Sequence, residues 1–260
     1  MARYYERNTS GFLTRGQGGS VGAIHRAVWA PGVNSRAQAF HYVHDVLRAH
    51  AEANGVERTV DLGCGTGAGL ARVLDDTSIV GFGVTNSAQH AALARARLGG
   101  RAEIHELDFC SDPLPDSLDF AFGVESFVHG GSPESFFGNV ARALVSGGCL
   151  ALCDDFLATE DRPRPVRAFE SGWLASSLST PVAADEAARR EGLELEEDRD
   201  WTPLLELDRP RDRLLRGFVA LATPLGARGD RFRSLSGGSA LRTCLKRGWI
   251  RYRYRVWRKA

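Results

Sequence analysis

The chain has 260 residues, 43% hydrophobic, 25% charged and 9% aromatic, enough to bury roughly three quarters of its unfolded surface as one large domain. This composition excludes disordered and fibrous chains, and no window approaches the roughly 18 uninterrupted apolar residues of a membrane-spanning helix. A net charge of +1 conceals an uneven layout: residues 1–36 carry five arginines against Glu6, and residues 227–260 carry nine arginines and two lysines against Asp230, around an acidic middle.

The start, MARYYERNTSG, lacks the apolar core of a signal peptide, so a cytoplasmic protein is expected. Cysteines 64, 110, 149, 153 and 244 are odd in number and form no CxxC pair, which argues against a disulfide framework and a structural zinc site. The first 30 residues, with glycines at 16, 18, 19 and 22, read as a lid segment laid over the sheet, with a disordered arm as the alternative.

Residues 35–54 then place Ala39, Phe40, Val43, Val46 and Leu47 on one helical face, with Asn34 or Ser35 as N-cap. RTVDLGCGTGAG is a short strand running into a glycine-dense turn, with a helix through LARVLDD. The strand SIVGFGVT leads to the helix SAQHAALARARLGG, and the strands AEIHELDF and LDFAFGVE follow. A helix near PESFFGNVARALVSGG, closed by two glycines, precedes the strand CLALCDDF. This alternation implies a parallel sheet covered by helices on both faces. Beyond Asp155, PVRAFESGWLASSL, PVAADEAARREG and RPRDRLLRGFVALATPLG read as helices, LELEEDRDW as an edge strand and IRYRYRVWRK as a closing strand.

In VDLGCGTGAG, Gly63, Gly65 and Gly67 stand between a strand and a helix, where glycine lets the backbone turn tightly and approach a ligand. The loop also satisfies G-x-G-x-x-A, so its shape leaves NAD open. Against NAD, Asp61 is placed to hold an ammonium group, and Thr85, Asn86 and Gln89 stand where a ribose-binding acid is expected. Leu118, Phe120, Phe122 and Val124 alternate as one strand face and end in Glu125, with His129 four residues on; the carboxyl end of such a strand is where ligands bind.

These motifs resemble the class I S-adenosylmethionine-dependent methyltransferases, whose glycine motif commonly reads VDLGCGTG. VGFGVTNSAQ is similar to the Gly-x-Thr-x-Ser-x-x-Gln segment of cyclopropane-synthase-like and sterol-methyltransferase-like members, and ELDF and LVSGGCLALCDDF extend the likeness over most of residues 56–156. The resemblance implies an α/β, Rossmann-like, seven-stranded and mostly parallel sheet with the last strand antiparallel. It also implies an N-terminal lid over 1–34 and a cofactor-binding domain over 35–260, with helical cap elements at 157–192 and 208–246. By the same resemblance, Asp61, Gly63, Cys64, Gly65 and Gly67 hold the methionine part of S-adenosylmethionine. Thr85, Asn86 and Gln89 hold its ribose region, Asp108 and Phe109 its adenine, and Glu125 lies beside the donor methyl.

The layout YYERNT…FL…GQGG…IHRAVWAPGV also looks like bacterial prenyl-diphosphate C-methyltransferases. That likeness implies alkene methylation of an isoprenoid diphosphate, with Glu125 and His129 as catalytic residues and Glu125 quenching a carbocation. Tyr4, Tyr5, Asn8, His25, Arg26, Trp29, Phe127 and Trp173 are the residues implied against the substrate, arginine suiting phosphate through its fork of donors. Asn8 and Glu125 are implied around a bridging magnesium ion. Another natural-product acceptor remains open, as does self-association. An RNA substrate is the less favoured rival. Trp249, Tyr252, Tyr254 and Trp257 interleave with arginines, yet Ile250, Tyr252, Tyr254 and Val256 share one face, as in a half-buried edge strand.

Overall fold

The structure, a computed structural model, describes residues 21, 22, 24–209 and 229–260. Tyr4, Tyr5, Asn8 and nearly all of the helix expected over 209–226 lie outside them. In chain order the elements are α1 (Arg36–Ala53), β1 (Arg58–Leu62), α2 (Ala68–Val73), β2 (Val80–Thr85), α3 (Ala88–Leu98), β3 (Ala102–Glu106) and β4 (Leu118–Val124). There follow α4 (Pro133–Ala143), β5 (Leu144–Leu157), α5 (Arg164–Trp173), α6 (Pro181–Arg190), β6 (Leu193–Asp200), α7 (Asp230–Arg247) and β7 (Ile250–Lys259).

The seven strands form one sheet in the order β3-β2-β1-β4-β5-β7-β6. Pairing is parallel from β3 to β5, and β7 is antiparallel to both neighbours. Strand order reverses between β1 and β4, which opens a crevice at their carboxyl ends. Helices cover both faces. On one, Val43 and Leu47 of α1, Leu98 of α3 and Phe169 of α5 pack against Phe120, Phe122, Tyr252 and Tyr254; on the other, Phe136, Phe137 and Val140 of α4 pack against Val60, Leu62, Leu150 and Trp257. Leu118 faces the second layer, apart from Phe120 and Phe122, because the β4–β5 register shifts between Leu118 and Phe120.

Local chemistry sets the helix starts. The Ser35, Ser87 and Ser132 side chains each accept a backbone N–H three residues on, capping α1, α3 and α4. Helix α4 ends at Ala143, and the chain enters β5 at Leu144 rather than after the glycine pair Gly147–Gly148. Strand β7 is not an edge. It lies between β5 and β6, so β6 alone closes this side of the sheet. Helix α7 runs through Gly237 and Gly238, and it meets α5 where Gly172 would carry a Cβ only 2.7 Å from the Gly237 Cα. Gly172→Ala is therefore expected to wedge the two helices apart and cost about 1–3 kcal/mol, measured by urea unfolding; an unchanged midpoint would mean that the contact is slack. Among the described residues, no helix is long and apolar enough to cross a membrane.

Candidate cofactor and acceptor cleft

The carboxyl ends of β1, β2 and β4 and the turn after β3 converge on a cleft of about 1030 Å³, open solvent at its mouth included. Its lining brings together Asp61, Gly63, Cys64, Gly65, Thr85, Asn86, Asp108, Phe109, Glu125 and His129, with His25 added from the N-terminal segment. Gly63 (φ +88°) and Gly65 (φ +51°) adopt the left-handed backbone that glycine favours. A side chain at Gly63 would place its Cβ 2.6 Å from the Ser126 Cβ, so only glycine lets the loop pass the turn after β4.

Asp61 is 5% exposed, and among the described residues no cation pairs with it. Burial pushes its carboxyl up to about 7, with the Leu70 backbone N–H pulling the other way. Asp108 accepts from the Cys110 N–H at 2.9 Å, a turn-closing bond, and Asn139 Nδ2 straps the same turn by donating to the carbonyls of Phe109 (2.9 Å) and Asp112 (2.8 Å). The Phe109 ring stands edge-on to Phe136, with centroids 5.7 Å apart.

Glu125 adopts φ +52°, a left-handed conformation that costs a non-glycine residue of order 1–3 kcal/mol. A charged network holds it there. Its Oε1 accepts from the Arg26 backbone N–H (2.7 Å), Arg26 Nε (2.9 Å) and the Tyr252 hydroxyl (3.1 Å). Arg26 Nη1 and Nη2 donate to Asp155 Oδ1 and Oδ2 at 2.8 and 2.9 Å, and the guanidinium lies 4.2 Å from the Tyr252 ring centroid. Burial raises the Glu125 carboxyl, but Arg26 and His25 together hold it below the ordinary range. Arg26 is thus committed to two carboxylates of its own chain, a different role from the phosphate contact expected of it.

Several expected contacts fall elsewhere. Phe127 is fully buried against Phe136, Phe137 and Phe156, so it is a core residue under the cleft floor. Trp173 packs between Phe169 and Gly237, donating Nε1–H to the Ser234 carbonyl at 3.0 Å. Trp29 packs against the buried cluster of Ala27, Ala39 and Phe40, outside the lining. Gly67 (φ +76°) starts α2 where a Cβ would stand 3.1 Å from Ala94 and Leu98 of α3, so it serves helix packing. Gln89 is exposed on α3, whereas His90, three residues after the capping Ser87, is buried and lines the cleft.

His129 lines the cleft from a single 3₁₀ turn, and burial pushes its imidazole down to about 4. His44 from α1 lines it as well; its Nε2 lies 2.8 Å from where a Gly69 Cβ would stand, so Gly69 makes room for it. Sequence reasoning missed His44 because its turn of α1 reads as ordinary amphipathic helix. The arginines of β7 are paired rather than presented to a polyanion. Arg253 bonds Asp198, Arg255 bonds Asp185 and Asp198, and Arg258 bonds Glu196.

The methyltransferase domain family (Methyltransf_11) matches residues 60–152. Polyketide synthase ThaQ of Burkholderia thailandensis is 30% identical over 220 residues, which are 81% of this chain and 10% of ThaQ, so the chain spans a small part of that relative. Among solved structures, the [4+2]-cyclase SpnF superposes with a TM-score of 0.74 at 23% identity, covering 99% of this chain and 94% of SpnF. Geranyl diphosphate C-methyltransferase from Streptomyces coelicolor A3(2), in complex with Mg2+, geranyl diphosphate and S-adenosyl-L-homocysteine, superposes with a TM-score of 0.70 at 15% identity, covering 99% and 98%. These likenesses establish the fold.

Proposed function

We propose that this chain, which has the class I S-adenosylmethionine-dependent methyltransferase fold and matches a methyltransferase domain family over residues 60–152, methylates a hydroxyl group of a small, polyketide-like molecule. The buried carboxylate of Asp61, which pairs with no cation among the described residues, carries the cofactor half of this reading. The ammonium of S-adenosylmethionine suits that carboxylate, Gly63 and Gly65 let its methionine part come close, and Asp108 and Phe109 suit its adenine. Bound there, the cofactor offers a sulfonium methyl group to a nucleophile.

The acceptor half rests on the imidazoles of the cleft wall. His25, His44 and His129 all line it, and burial holds each below the ordinary histidine value of 6.5, so they are neutral near pH 7. Neutral imidazoles suit a hydroxyl acceptor, which must lose a proton as it is methylated. The likeness to a stretch of a polyketide synthase supports the substrate class.

The second reading is C-methylation of an isoprenoid diphosphate with magnesium, favoured by the superposition on the geranyl diphosphate enzyme and by Glu125 at the end of β4. The engagement of Arg26 by Glu125 and Asp155 tells against it. Incubation with methyl-labelled cofactor and two acceptor panels, hydroxylated polyketides and prenyl diphosphates with magnesium, separates the two. Label on oxygen supports the first reading, and label on carbon with none on oxygen replaces it by the second.

The Asp61 carboxyl also predicts a pH dependence. Its folded pKa of about 7 lies above the ordinary 3.8, so the folded protein carries a penalty that grows as pH rises between those values. A bound ammonium relieves that penalty by favouring the ionised form, and binding below pH 7 therefore releases a proton. Affinity for S-adenosylhomocysteine should fall as pH drops from 8 to 5.5, by up to about tenfold per unit below 7, in calorimetric titration. A flat profile would remove Asp61 from ammonium binding.

A further inference from the structure

Among the described residues, the buried ring nitrogens without a hydrogen-bond partner include His25 Nε2, His41 Nδ1 and His44 Nδ1. A buried polar atom left unpaired in a native structure calls for an explanation, and His25 comes with a protonation state that chemistry dictates. Its Nδ1 lies 2.9 Å from the Arg26 carbonyl oxygen. A carbonyl only accepts, so Nδ1 carries the hydrogen and Nε2 keeps its lone pair.

The imidazole is held from several sides. The His44 ring meets it edge-on at 4.7 Å and Phe40 at 5.7 Å. The backbone carbonyl that fixes the tautomer belongs to Arg26, whose own backbone N–H and guanidinium are pinned to Glu125 and Asp155. The clamp thus sets the residue that sets the ring.

We propose that His25 Nε2 takes the proton of the acceptor hydroxyl during methyl transfer, and that Arg26, Glu125 and Asp155 are its positioning residues. The inference rests on the hydroxyl-acceptor reading above. In the step, the hydroxyl oxygen forms the new O–CH3 bond while the S–CH3 bond breaks, and the electron pair of that bond stays on sulfur, which becomes a neutral thioether. The hydroxyl proton moves to Nε2. The resulting imidazolium is stabilised by the Glu125 carboxylate and then passes its proton to solvent. Glu125 suits the role of a charge neighbour better than that of base, since its Oε1 already accepts three donors.

The titratable and charged groups that face His25 are Glu125 from the end of β4, Arg26 beside it in the chain, and His41 and His44 from α1. Burial, the largest influence, lowers its pKa below 6.5, with Glu125 opposing. The free imidazole is therefore the form present near neutral pH, and turnover should decline as pH falls below 6.5.

The test uses the full chain with methyl-labelled cofactor and the hydroxylated acceptors. His25→Gln is expected to lower kcat by about 100-fold or more and to abolish the acid limb of the kcat profile measured with cofactor saturating at every pH, where the Asp61 dependence of affinity does not enter, while S-adenosylhomocysteine still raises its melting temperature. Asp155→Asn, which loosens the clamp but keeps the imidazole, should lower kcat roughly 10- to 100-fold, leave KM little changed and retain the acid limb. Nitrogen-15 NMR of the wild-type protein without ligands should show the His25 proton on Nδ1, whether or not the glutamine variant folds. Turnover in His25→Gln within about threefold of wild type, an acid limb of kcat surviving in that variant at saturating cofactor, or the proton found on Nε2 would each overturn the proposal. Methylation of no hydroxyl by the wild type would overturn the acceptor reading and this inference with it, whereas no response of the wild type to S-adenosylhomocysteine would overturn methyl transfer itself.

Discussion

Arg26→Ala is expected to lower the melting temperature by roughly 6–20 °C. The guanidinium is the shared partner of Glu125 and Asp155, and removing one member of a buried charged network costs about 3–5 kcal/mol because the remaining charges stay buried without compensation. In a chain of this size each kcal/mol shifts the midpoint by about 2–4 °C. Adding Asp155→Asn to the alanine variant removes one stranded carboxylate and should recover part of the loss. A midpoint within 2 °C of wild type, or no recovery in the double variant, would show that the network relaxes into water.

The network also sets an acid limit. The Glu125 carboxyl lies below its ordinary range in the folded protein, so its share of stability is present above the unfolded value of about 4.3. That share is lost as pH falls through the lower folded value.

Asp61→Asn should act in the opposite way, weakening cofactor binding without harming the fold. Loss of one partner of a buried charge pair costs about 2–5 kcal/mol of binding, a fall in affinity for S-adenosylhomocysteine of roughly 30- to 3000-fold. The same change removes a carboxyl whose ionisation is disfavoured by burial, so the ligand-free variant should melt at or above the wild-type temperature at pH 8. Isothermal titration and thermal melts report the two quantities separately. Undiminished affinity would move the ammonium site elsewhere.

The βα rhythm of residues 35–156 was legible because each unit carries its own punctuation. Serine caps at 35, 87 and 132 and the left-handed Gly63, Gly65 and Gly99 fix starts and stops locally. Strand β7 was legible as a strand but not as an interior one, because its alternating tyrosines and arginines mimic an edge. Only the partners Asp185, Asp198 and Glu196, distant in sequence, show that the arginines are paired. Helix α7 is disguised by Gly237 and Gly238, whose purpose is close approach to α5.

In the cleft, the residues at strand ends could be placed from the motif, since strand register carries them there. Gln89 was misplaced by a single residue, and counting from the cap would have found His90: three residues beyond Ser87, the first turn of α3 faces inward. The aromatics Phe127, Trp29 and Trp173 could not be sorted by sequence, because hydrophobic content alone does not distinguish a cleft wall from a core. Arg26 was identified as a site residue, but its partners Asp155 and Tyr252 come from β5 and β7, which no local pattern connects to it.

The most direct test of the central claim is calorimetric titration of the full chain with S-adenosylhomocysteine and, separately, with NAD. The geometry around Asp61 and Gly63 predicts saturable binding of S-adenosylhomocysteine, accompanied by a rise in melting temperature, and no response to NAD. Binding of NAD without binding of S-adenosylhomocysteine would contradict it.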